Sequence, residues 1–74
     1  MILTTAEAAE ALRTNRRRLD LLRRYGLIYA CKLGRGYGYR VQELERFAEW
    51  AEGKDLGTVD QIRHWAKQKG SVTG

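Results

Sequence analysis

The sequence predicts a mainly α domain carrying one small β-hairpin, and three observations predict it. Four segments place apolar residues at helical spacing, and glycine closes three of them. One central stretch, LIYACKL followed by GRGYG and YRV, switches to β-prone residues around a glycine-rich turn. The chain has 74 residues, one cysteine and no proline. That length allows one domain with one modest core, since a chain this small buries only about 60% of the surface its unfolded form exposes.

The elements follow in order. Thr5 before AEAAEALR, with Glu7 in the first turn, reads as the N-cap of a helix from about Ala6 to Leu12, with an acid near the positive end of its dipole. Its inner face, Ala8, Ala9 and Leu12, is small enough for a second helix to pack closely. Arg13-Thr14-Asn15 interrupts the pattern, and Asn15 caps a helix from Arg16 to Tyr25 that Gly26 closes in the left-handed conformation. Two short helices about three residues apart make a helix-turn-helix candidate. LIYACKL and YRV then form a hairpin, with Gly34, Gly36 and Gly38 free to supply positive φ at its turn. From Gln42 to Glu52, Leu44, Phe47, Ala48 and Ala51 share one face of a third helix that Gly53 ends. Thr58 and Gln61 match a capping box opening a fourth helix, Val59 to Lys69. This helix has Val59, Ile62, Trp65 and Ala66 on one face, Gly70 as its stop and SVTG as a frayed tail.

Charge is concentrated in the middle. Residues 1–12 hold two acids and no base, residues 13–40 nine bases and one acid, and residues 41–74 five bases and six acids, for a net charge of +5. The stretch NRRRLDLLRRYG alone has five arginines and one acid. On a helical wheel its apolar arc, Leu19, Leu21, Leu22 and Tyr25, centres about 180° from Arg16, Arg17, Asp20 and Arg24. The cations therefore point away from the core. Asp20 lies four residues from both Arg16 and Arg24 and can relieve part of their repulsion, at a few tenths of a kcal/mol per exposed pair. Such a surface fits the major groove of DNA, where arginine bonds the O6 and N7 of guanine and neutralises phosphates; the alternative is an ordinary solvated face. Asp20 can also accept from a cytosine amino group. The hairpin adds Lys32, Arg35, Tyr37 and Arg40 on or near a slim turn, suited to a phosphate backbone or the adjacent minor groove. A tight turn with an incidental arginine is the alternative there, and cross-strand packing is the alternative for Tyr37 and Tyr39.

In this order of elements, LTTAEAAEAL, TNRRRLDLLRRYGLI and KLGRGYGYRV followed by ELERF resemble the excisionase-like and MerR-like winged helix-turn-helix DNA-binding domains over residues 3 to about 52. The resemblance implies that Arg16, Arg17 and Asp20 face base edges, that Arg13, Arg23 and Arg24 bind phosphates, and that Arg35 at the wing sits in or near the minor groove. It implies a non-catalytic architectural protein working beside an integrase or further copies of itself, hence an excisionase or recombination directionality factor of a phage or mobile element. A small transcription regulator, or a phage packaging or protein-interaction module of the same fold, are the alternatives. Two departures stand out: Tyr29 occupies the place where the family often has proline, and the fourth helix is extra.

Other chemistries lack their residues. The glycines of GRGYG lie between two strands, not between a strand and a helix as a dinucleotide fingerprint requires. His64 stands alone on a polar flank, and no set of Cys and His offers a zinc site. Cys31 reads as a small core residue, and Glu43, Glu45, Glu49 and Glu52 as a solvated face. Trp50 and Trp65 either meet in the core or serve a partner. The expectation is a cytoplasmic, non-enzymatic protein with no cofactor and no metal. The longest apolar run, Leu27 to Cys31, is too short to cross a bilayer.

Overall fold

The computed structural model describes residues 1–71, which form four helices and a three-stranded antiparallel sheet, a mixed α/β architecture. The order is β1 (Ile2–Thr4), α1 (Thr5–Ala11), α2 (Arg16–Arg24), β2 (Cys31–Leu33), β3 (Gly36–Arg40), α3 (Val41–Ala51) and α4 (Val59–Ser71). The hairpin expected from the sequence is thus two thirds of a sheet. β3 lies centrally, with β2 on one side and β1 on the other; Ile2 pairs with Arg40 and Thr4 with Gly38. β1 corrects the two-stranded expectation, and it shifts the first cap. Thr4, not Thr5, is the N-cap of α1: its hydroxyl accepts from Glu7 N–H at 3.1 Å while the Glu7 carboxylate accepts from Thr4 N–H at 2.9 Å. The last residue of the strand therefore holds the first turn of the helix.

Ala8 and Ala9 are buried, so α1 presents a flat face on which Leu19 and Leu22 of α2 pack. Those residues join Leu27, Ile28, Tyr39, Leu44, Phe47 and Ile62 in one core. α1 and α2 end alike. At α1, Arg13 N–H donates to Glu10 O and Thr14 N–H to Ala9 O; at α2, Gly26 N–H donates to Arg23 O and Leu27 N–H to Leu22 O. Both are Schellman closures with a left-handed residue at the same place, Gly26 at φ 76° and Arg13 at φ 56°.

Several expectations change. Leu27 to Ala30 form no strand, because Leu27 and Ile28 turn into the core directly after α2. Only Gly34 among the three hairpin glycines has positive φ; followed by Arg35 at negative φ, it gives the sign pattern of a type II′ turn. Gly38 serves close approach instead: a Cβ there would lie 2.5 Å from Ile2 Cγ2 and 2.9 Å from Leu33 Cδ1, the side chains that close over it from either neighbouring strand. Ala48 is exposed on α3 and Val59 is 42% exposed at the start of α4, so neither belongs to the buried faces expected of them. Glu43 is not part of a solvated face. It takes Arg46 Nε at 2.8 Å and Tyr29 N–H at 3.0 Å, joining α3 to the segment before β2. Arg46 in turn donates to Leu27 O at 3.0 Å.

The fourth helix packs on its own domain through Ile62, and the Thr58–Gln61 box opens it as expected. It runs through Gly70 to Ser71, so Gly70 does not stop it; of the expected frayed tail, residues 72–74 lie outside the described residues. Trp50 and Trp65 are both half-buried against the core and are joined through Lys54. Its Nζ donates to Trp50 O at 2.6 Å and lies 4.7 and 5.4 Å from the two rings. Cys31 is half-buried, and His64 is exposed with its ring edge-on to Trp65. Among the described residues no helix is long and apolar enough to cross a membrane.

Candidate nucleic-acid interface

The basic surface is built from α2 outward. Asn15 caps the helix by accepting from Arg18 N–H at 2.8 Å, which fixes the direction in which the first turn leaves the α1–α2 turn. Leu19 and Leu22 are buried, and Leu21 and Tyr25 half-buried, so the rotation of the helix is set by its apolar arc. The consequence is that Arg16, Arg17 and Arg24 are exposed together on the opposite side. The first turn has three arginines and no acid. These cations sit against the positive end of the helix dipole, an unfavourable placement that a bound anion relieves.

Arg18 escaped the sequence reading. Its wheel position falls within the apolar arc, and the structure has it half-buried, lying between α2 and the α3–α4 connection. A long side chain in that position runs its stem over apolar surface and brings its charge out at the edge. It emerges into a cleft of about 570 Å³ beside α2, shared with Arg17, Arg24 and Thr58. The cleft is open. The C-terminal segment flanks α2 without covering Arg16, Arg17 or Arg24. On α4, Arg63 lies beside the Tyr25 hydroxyl, which holds the guanidinium above its ordinary pKa, with Asp60 assisting.

Asp20 differs from expectation. Its carboxylate pairs with Arg23 at 3.7 Å and not with Arg16 or Arg24, because Arg23 leans from the margin of the helix toward the hairpin. Arg16 and Arg24 thereby keep their charge unshared within α2. Arg23 itself is 20% exposed, with its guanidinium 3.9 Å above the Tyr37 ring. Arg13 is exposed in the α1–α2 turn, as is Asn15.

The hairpin distributes its candidates over two faces. Tyr37 and Tyr39 point inward, Tyr39 fully buried, and burial pushes its hydroxyl above the usual 10.0, with the nearby Arg23 charge opposing. Lys32, paired across from Tyr37, is exposed and approaches that ring at 5.7 Å. Arg35 is exposed at the tip. Arg40 belongs to the other face of the pleat, at the base of the hairpin and about 14 Å along β3 from Gly36, the residue after Arg35. The structure thus brings Asn15, Arg16, Arg17 and Arg24 onto one side of α2, leaves Arg13 exposed in the preceding turn on the Arg18 side toward α3, sets Lys32, Arg35 and Tyr37 on the adjoining hairpin, and separates Arg40 from them.

Among the described residues no group of three or more His, Cys, Asp or Glu is placed to hold a metal ion. No family model, no curated protein and no solved structure matches the chain.

Proposed function

We propose that this chain is a non-catalytic winged helix-turn-helix protein that binds double-stranded DNA, with α2 in the major groove and the β2–β3 hairpin as the wing along the backbone. One observation carries it: Arg16, Arg17 and Arg24 are exposed on one side of a helix whose other side is locked into the core by Leu19 and Leu22. A helix held at a fixed rotation presents its guanidiniums as a rigid set, and rigid forks are what bidentate contact with guanine requires. In this arrangement Arg16 and Arg17 read base edges, Arg13 and Arg24 hold phosphates, and Arg35 meets a phosphate at the edge of the minor groove. Asp20, engaged by Arg23, serves the helix before it serves a base.

The molecule measures 32 × 25 × 21 Å, so one copy spans about one turn of duplex, roughly 34 Å. Such a footprint binds weakly alone, which favours an architectural job beside further copies or an integrase: an excisionase or recombination directionality factor. Contact with five to seven phosphates gives a slope of log K against log salt of about −4.5 to −6.3.

The test is a fluorescence-anisotropy titration of specific and random duplexes at several salt concentrations, with the chain as it stands and with Arg16→Ala and Arg17→Ala. Each substitution is expected to weaken specific binding about 10-fold or more and to narrow the gap to random DNA, at an unchanged melting temperature. Unaltered affinity in both variants overturns the proposal. For the job itself, altered integrase product ratios support the directionality factor, and altered transcript levels alone replace it with a regulator.

A further inference from the structure

At the junction between α2 and the hairpin, Arg23 Nε and the Tyr39 hydroxyl are both buried and make no well-formed hydrogen bond, yet the Arg23 side chain lies close enough to act on that hydroxyl. A half-buried guanidinium is held by the contacts its other atoms make, and those of Arg23 run from α2 to β3. Its terminal nitrogen meets Asp20 on the same helix, and its guanidinium lies 3.9 Å from the centre of the Tyr37 ring on β3. A planar guanidinium over an aromatic face fixes both partners, which a lysine ammonium cannot reproduce. Lys32 reaches the same ring from β2 at 5.7 Å, so the ring is held between two strands and a helix.

The need for such a hold follows from the sheet. β1 pairs only with Gly38, Tyr39 and Arg40, the basal half of β3. Gly36 and Tyr37 extend beyond it, paired with β2 alone, and the tip between Gly34 and Gly36 is flexible by composition. An isolated two-stranded end is marginal in water and drifts unless something anchors it.

We propose that Arg23 is a positioning residue and not a phosphate ligand: stacked on Tyr37, it pins the distal hairpin to α2 and sets the spacing between Arg35 at the tip and Arg16, Arg17 and Arg24. The consequence for DNA rests on the binding function above, but the latch does not. A wing held at fixed distance from the recognition helix contacts a phosphate in register with the bases that helix reads; a drifting wing does not.

The experiment uses Arg23→Lys, which keeps the charge and loses the plane, with Tyr37→Leu removing the ring and Tyr37→Phe keeping it. Without DNA, ¹⁵N relaxation is expected to show lower order parameters at Gly34 to Tyr37 in Arg23→Lys and Tyr37→Leu than in the parent and Tyr37→Phe. With DNA, adding Arg35→Ala flattens the salt slope by about 1 in the parent and in Tyr37→Phe, and leaves it nearly unchanged in Arg23→Lys and Tyr37→Leu. Melting temperatures recorded alongside keep every variant in its folded range, and a change in coupling between positions 23 and 35 is not produced by stability alone. Unaltered order parameters in Arg23→Lys overturn the latch, as does an Arg35→Ala effect of the same size in Arg23→Lys and the parent. If the parent binds no duplex, the binding function fails while the relaxation data still decide the latch.

Discussion

Replacing Arg13 with glycine separates stability from binding in one residue. α1 and α2 finish with the same pair of hydrogen bonds, yet α2 places glycine at the left-handed position and α1 places arginine there at φ 56°. A side chain in that conformation costs roughly 1–2 kcal/mol. Glycine removes the cost but adds about 0.5–1 kcal/mol of chain entropy lost on folding. The net expectation for Arg13→Gly is a gain of about 0.5–1 kcal/mol, and with about 4–8 °C per kcal/mol for a domain this size the melting temperature rises by roughly 4 °C. DNA affinity should fall at the same time, with the salt slope flatter by about 1 for the lost phosphate contact. The mirror substitution, Gly26→Ala, meets no atom within 4 Å of the new Cβ, so it should lose about 0.5–1 kcal/mol through φ alone. Calorimetry and anisotropy titration check both. A melting temperature for Arg13→Gly at or below the parent's refutes the claim of strain. An unchanged affinity and slope refutes the assignment of Arg13 to a phosphate.

Two further outcomes are expected. Thr4→Ala should cost about 1 kcal/mol in urea unfolding by losing the capping box of α1, while Thr5→Ala costs close to nothing, since Thr4 makes the cap. Glu43 is held below its ordinary 4.5 by the Arg46 hydrogen bonds first and the Tyr29 N–H bond after, against the opposing effect of burial. Because its folded-state pKa is lowered, its stabilisation is complete above 4.5 and is lost as pH falls through the lowered value. Glu43→Gln should therefore show a flatter urea midpoint than the parent between about pH 5 and 3; parallel curves would assign the acid sensitivity elsewhere.

The helices were legible because a helix is written in near neighbours. Asn15 and Gly26 bracket α2 within a residue of its observed ends, Thr58 and Gln61 open α4, and the spacing of Leu19 and Leu22 places Arg16, Arg17 and Arg24 outside. Each of these depends on residues three or four apart, where the sequence and the physical contact coincide. The side-chain partners were less legible. Asp20 has arginines at three and four residues' distance, and its preference for Arg23 follows from Tyr37 drawing that guanidinium toward the hairpin.

What the amino-acid order determined alone is a basic helix, capped and closed, with its cations on one face and a β-prone hairpin after it. What the tertiary structure decided is every relation between segments far apart in the chain. Ile2, Leu3 and Thr4 are too short a run to mark a strand by themselves and become one by pairing with Gly38, Tyr39 and Arg40; Glu43 finds Tyr29, and Arg23 finds Tyr37. Local hydrogen bonds need only the chain's own turn to form, whereas strand pairs and cross-element contacts exist only after the core has brought distant segments together.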